Sequence, residues 1–87
     1  MNTFTTIFNI ISMATNYGCD KIEVWATGPT TRICGSLQGR DPVIKTVASP
    51  LPFVSKDIEQ ALEIEDWQVT RTGHGFTATR DASLAAA

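Results

Sequence analysis

Few residues in this chain are of types that perform chemistry, and their spacing argues against a catalytic role. His74 is the one histidine, set in Thr72-Gly73-His74-Gly75. A general base needs a positioned partner within hydrogen-bond reach, and a glycine-flanked tip supplies none. Cys19 and Cys34 share no Cys-x-x-Cys or comparable ligand spacing with His74, so no metal is expected. Cys34 as a nucleophile would need a base beside it. The strand pairing derived below sets it between Glu23 and Val47, and a carboxylate raises a thiol pKa. Gly35-Ser36-Leu37-Gln38-Gly39 carries no phosphate-loop lysine and opens no helix. The expectation is a non-enzymatic chain without metal or cofactor.

The residues suited to recognition are more promising. Trp and Arg dominate interface energetics, and Trp25 and Arg32 are expected to face each other across two strands as a cation–π pair. Glu59, Glu63 and Asp66 recur at helical spacing. With Asp57 and Glu65 they place five of the nine acidic residues in the window 57–66. Such a stripe is either a solvated helix face or an electrostatic docking face for a basic partner, one that ordinarily grips phosphate. The candidate partner-binding residues are therefore Trp25, Arg32, Asp57, Glu59, Glu63 and Asp66.

The elements that must position them follow from periodicity. Asn2 or Thr3 can cap a helix to about Tyr17, with Phe4, Ile7, Phe8, Ile11 and Ala14 as its apolar stripe and Gly18 at a left-handed C-cap. Ile10, Met13 and Tyr17 are expected to widen the buried side. Three alternating strands follow, 21–26, 31–38 and 43–48. A turn at Thr27-Gly28-Pro29-Thr30 pairs Val24 with Ile33, Trp25 with Arg32 and Glu23 with Cys34. A turn at Gly39-Arg40-Asp41-Pro42 pairs Leu37 with Ile44 and Cys34 with Val47. Both together put Ile22, Val24, Ile33, Leu37 and Ile44 on one face. Pro50 and Pro52 predict an extended connection, and Ser55 an N-cap for a helix over 56–65 with Ile58, Ala61 and Leu62 inward. A last hairpin, 67–71 with 76–80, pairs Trp67 with Arg80, Val69 with Ala78 and Arg71 with Phe76.

The predicted fold class is α+β: an antiparallel sheet with two helices packed on one face, in the order α-β-β-β-α-β-β. One compact domain is expected over residues 1–81, and 82–87 read as a disordered or appended tail. That tail resembles the Leu-Ala-Ala ending of the bacterial tmRNA degradation tag. Eighty-seven residues, 43% apolar and 18% charged, fit one small globular unit with a modest core. A net charge of −2 argues against generic nucleic-acid or anionic-membrane binding. Cys19 is placed near Gln38, far from Cys34, so no disulfide is expected. Free thiols, the absence of a basic leader and the absence of a long apolar run lead to a cytoplasmic expectation.

Three functional expectations result. The first is a small acidic module that binds a larger protein or nucleoprotein complex with a basic surface and inhibits it by occlusion. In size and charge it is similar to phage or mobile-element inhibitors of host nucleic-acid-targeting defence, such as anti-CRISPR proteins. The second is nucleic-acid binding, with Arg32, Arg40, Lys45, Arg71 and Arg80 converging on one sheet face around Trp25. The order helix–strand–strand–strand–helix over residues 3–65 resembles the double-stranded-RNA-binding domain, whose second helix opens with phosphate-gripping lysines. Here Ser55-Lys56-Asp57-Ile58-Glu59 keeps only Lys56, and Asp57 and Glu59 repel phosphate. The third is a homodimeric accessory subunit pairing through the outer sheet face or an edge strand.

Overall fold

The computed structural model of the chain describes residues 3–37 and 40–80. Its elements are α1 (Thr3–Tyr17), β1 (Lys21–Thr27), β2 (Thr30–Ser36), β3 (Val43–Val47), α2 (Leu51–Ile64), β4 (Gln68–Arg71) and β5 (Gly75–Thr79). The expected α-β-β-β-α-β-β order is the observed one, and the strands form a single five-stranded antiparallel sheet. Across that sheet the order is β3-β2-β1-β5-β4. The last hairpin thus joins the first three strands through β5, and β1 becomes the central strand. The expectations for Asn2, for Gln38 and Gly39 in the second turn and for the tail from Asp81 lie outside the described residues.

Two of the three expected registers hold. Val24 faces Ile33, Trp25 faces Arg32 and Glu23 faces Cys34. Gly28 has φ 59, and the proline after it is fixed near −65°, which is the type II′ pattern favoured in two-residue hairpins. Val69 faces Ala78 and Arg71 faces Phe76. The β2–β3 register differs. Ile44 faces Cys34, not Leu37, and Val47 faces Thr31, not Cys34. The connection is longer than a four-residue turn, since β2 ends at Ser36 and β3 begins at Val43. The offset is odd, so every β3 side chain changes face. Val47 enters the core, and Ile44 stands on the outer face at 49% exposure.

The inner face holds Ile22, Val24, Ile33, Val47, Phe76 and Ala78, and all six belong to one buried cluster with the two helices. From α1 come Ile7, Ile11 and Ala14; from α2 come Val54, Ile58, Ala61 and Leu62. Burying each of the larger aliphatic side chains stabilises the fold by about 1.5–3 kcal/mol. Met13 and Tyr17, expected to be covered, are exposed. Helix α2 starts five residues earlier than Ser55 would cap it. Pro50 is its N-cap, and Pro52 falls in the first turn. There the backbone N–H has no intrahelical acceptor, so proline costs nothing. Consequently Lys56 lies inside the helix, and the likeness to an RNA-binding helix start is lost.

Both helices end in the same way. Gly18 N–H donates to Thr15 O and Cys19 N–H to Ala14 O, with Gly18 at φ 92. Asp66 N–H donates to Glu63 O and Trp67 N–H to Leu62 O, with Asp66 at φ 64. These are paired Schellman closures, and the apolar residues that flank each one, Ala14 with Cys19 and Leu62 with Trp67, are all buried in the core cluster. The two ends also lie together. Trp67 Nε1 donates to Thr15 Oγ1 at 3.0 Å, and Ser12 Oγ donates to Glu65 Oε1 at 2.7 Å.

Candidate functional site

Neither helix covers the outer side of the sheet. One row across it runs Thr46, Arg32, Trp25, Gly75; the next runs Ile44, Cys34, Glu23, Thr77, Thr70. Trp25 is half-buried and Arg32 exposed. They are cross-strand neighbours, as the register required, but the expected cation–π pair is not made. Among the described residues the arginine–ring contacts run from Arg40 to Tyr17, Arg71 to Phe76 and Arg80 to Trp67. Trp25 and Arg32 are thus side by side and available. The Glu23 carboxylate lies 3.7 Å from the Lys21 ammonium, both about half exposed.

Gly75 explains why the Trp25 indole has room on its β5 side. A Cβ at position 75 would lie 2.0 Å from Val24 O, and φ is 157. Only glycine fits this approach, and it leaves no side chain opposite Trp25. Pairing to β5 stops at Trp25, whereas pairing to β2 continues to Thr27. A groove of about 630 Å³ opens there, lined by residues that include Glu23, Trp25, Thr72, His74 and Thr77. Its far wall is the β4–β5 turn, held by the Thr72 hydroxyl, which accepts from the N–H groups of His74 (3.3 Å) and Gly75 (3.0 Å). A second groove of about 380 Å³ lies on the helix side of the same turn, against Leu51, Pro52 and Ser55.

The acidic stripe does not survive as a unit. Glu59 is held by Arg71, whose Nη2 lies 3.0 Å from Oε1 and 3.1 Å from Oε2. Asp66 is past the end of α2 in the left-handed cap, off the helical repeat. Asp57 is half-buried, and only Glu63 of the three helical acids is exposed. The structure therefore separates the six sequence candidates. Trp25 and Arg32 share the outer sheet face, while Asp57, Glu59, Glu63 and Asp66 belong to α2 and its C-terminal cap. The basic residues do not converge either. Arg71 pairs with Glu59, Arg40 covers Tyr17, and Arg80 donates to Cys19 O and Thr15 O at 2.9 and 2.7 Å. Lys45 shares the parity of the core-facing Val47, which leaves Arg32 alone of the five beside Trp25.

Both thiols hold their protons more tightly than an ordinary cysteine. Burial pushes Cys34 above the ordinary thiol value, and the Glu23 carboxylate pushes it further. Burial does the same to Cys19, opposed in part by Arg80. Both thiols are free. Among the described residues no three His, Cys, Asp or Glu side chains gather as a metal site. Among the described residues no helix is long and apolar enough to cross a membrane. Thr72, Thr77 and Gly75, which shape the groove, were invisible in the sequence because their relation to Trp25 exists only once β5 docks on β1. Comparison with family models, with curated proteins and with solved structures finds no match for the chain.

Proposed function

We propose that the chain is a non-enzymatic binding protein that docks through the outer sheet face and inhibits a larger partner by covering its surface. The observation that supports this reading is Trp25 opposite Arg32 on the side of the sheet that neither helix covers. These residue types anchor interfaces when desolvated. Ile44, half exposed in the adjoining row, extends the apolar part of the patch. Phage or mobile-element inhibitors of nucleic-acid-targeting defence, similar in size and charge, are the concrete form of the proposal. Glu63 and Asp66, on α2 and its cap, are a separate acidic surface apart from the outer sheet face, suited to a basic partner.

The test is affinity capture from host lysate with and without nuclease treatment, comparing the native chain with Trp25→Ala/Arg32→Glu and with Glu63→Lys. A stoichiometric protein that is lost with the first variant supports the reading. Loss only with Glu63→Lys transfers the interface to α2. Recovery of nucleic acid in place of protein overturns it.

A homodimer is a second reading, favoured by one observation. β3 is an edge strand whose Ile44 is half exposed, and bare edges invite pairing. Mass measured over a concentration series, with Ile44→Lys as control, decides it.

A further inference from the structure

The groove beside Trp25 has a chemistry of its own. One wall is the indole of Trp25, and the opposite wall is the β4–β5 turn with Thr72 and His74. Glu23 lies two residues before Trp25 on the same strand face, and Thr77 faces Glu23 from β5. The lining holds the rings of Trp25 and of core-facing Phe76, one carboxylate, two hydroxyls and one imidazole. No lysine or arginine lines it. The volume of about 630 Å³ is that of a small-ligand site.

The surrounding charges select against ions. An anion would meet the Glu23 carboxylate with no cation in the lining to receive it. A cation would meet Lys21, already 3.7 Å from Glu23, and Arg32 on the other flank of Trp25. What remains is a neutral ligand with an apolar face for the indole and hydroxyls around its rim. A pyranose ring has this form: its axial C–H groups lie on an aromatic face, and its hydroxyls donate to a carboxylate and exchange hydrogen bonds with threonine.

We propose that this groove is a binding subsite for a neutral pyranose of an oligosaccharide, stacked on Trp25, with Glu23 accepting hydroxyl protons and Thr77 and Thr72 bonding the rim. The proposal goes beyond the docking reading and does not rest on it. The two share Trp25, and Glu23 and Thr77 lie in the adjoining row of the same outer face, while the turn with Thr72 and His74 is outside the docking patch.

The experiment is a titration of the full chain with cellohexaose, maltohexaose and hexa-N-acetylchitohexaose, followed by amide shifts and tryptophan emission. Adenosine serves as the neutral aromatic control. The expected result is saturable binding of at least one oligosaccharide, with shifts centred on Trp25, His74 and Thr77. Affinity should fall at least tenfold in Glu23→Gln and in Thr77→Val, both of which keep side-chain shape. No saturable shift with any of the three sugars overturns the proposal, as does tighter binding of adenosine or shifts centred elsewhere. Protein capture by Glu23→Gln and Thr77→Val at the native level, beside lost sugar binding, separates this site from the docking face.

Discussion

The Arg80 guanidinium lies 4.9 Å from the centroid of the Trp67 indole. From that position it donates to Thr15 O, which also accepts from Gly18 N–H, and to Cys19 O just past the end of α1. The cation therefore sits at the negative end of a helix dipole, with the indole as its lid. Trp67 in turn donates to Thr15, so one residue after β5 and one before β4 together fasten the end of the first helix.

Arg80→Ala should lower stability by about 1.5–3 kcal/mol, the range for hydrogen bonds to a charged group. Arg80→Lys should recover only part of it, because an ammonium cannot span both carbonyls as a planar fork does. Urea unfolding followed by emission of the buried Trp67 measures both. Equal stability of Arg80→Ala and the native chain would remove the clamp from this account.

Asp66 is the only described non-glycine residue with positive φ. Asp66→Gly should stabilise the fold by about 0.5–1 kcal/mol, since glycine carries no left-handed penalty at a helix cap. Gly18→Ala at the matching cap of α1 should cost about 1 kcal/mol. Paired thermal melts give both signs in one experiment.

Gly75→Ala should cost at least about 2 kcal/mol, because the new methyl would collide with the Val24 carbonyl and the positive φ is unsuited to alanine. Gly73→Ala, where nothing lies within 4 Å of the added carbon, should be nearly neutral. Similar losses for the two would contradict the close approach of β5 to β1.

Alkylation reports on the thiols. Both hold their protons more tightly than in the unfolded chain, so the stability they contribute is complete below the unfolded thiol range of about pH 8.5. It is lost as pH climbs through and above that range, where only the unfolded thiols ionise freely. Iodoacetamide should modify half-buried Cys34 before fully buried Cys19. Glu23→Gln should speed Cys34 alone, because the carboxylate facing it across β1 and β2 is gone.

Reversing Glu59 to Lys should cost stability before it touches any partner, because it sets two cations together where Arg71 now meets a carboxylate. Glu59→Lys with Arg71→Glu should restore most of the loss. The pair is partly exposed, so the effect should stay near 1 kcal/mol or below. Double-mutant unfolding curves measure the coupling.

Sequence reasoning reached the two hairpins whose turns are short and marked by glycine, and it paired Trp25 with Arg32 correctly. It missed the β2–β3 register because the connection after Ser36 is longer than a tight turn. Nothing local told Ile44 from Val47 as the inward residue. Pro50 and Pro52 read as a break that sets α2 late, whereas a first turn has no use for the missing N–H. The acidic stripe looked continuous because helical spacing carried it through Asp66, and Asp66 is already in the cap. The groove was out of reach for another reason: Trp25 and Gly75 meet only through a pairing that joins opposite ends of the fold.

The central place of β1 governs the order of assembly. Its partner on one side is the adjacent hairpin strand, but on the other side Lys21 must wait for Thr79. During synthesis the middle of the sheet therefore emerges as an open edge and stays open until the last of the five strands has left the ribosome. Ile22 and Val24 remain uncovered by Ala78 and Phe76 throughout that interval, which exposes the nascent chain to mispairing and to capture by chaperones. Closure by the final hairpin is a long-range event, and its loop entropy should make it the slow step of folding.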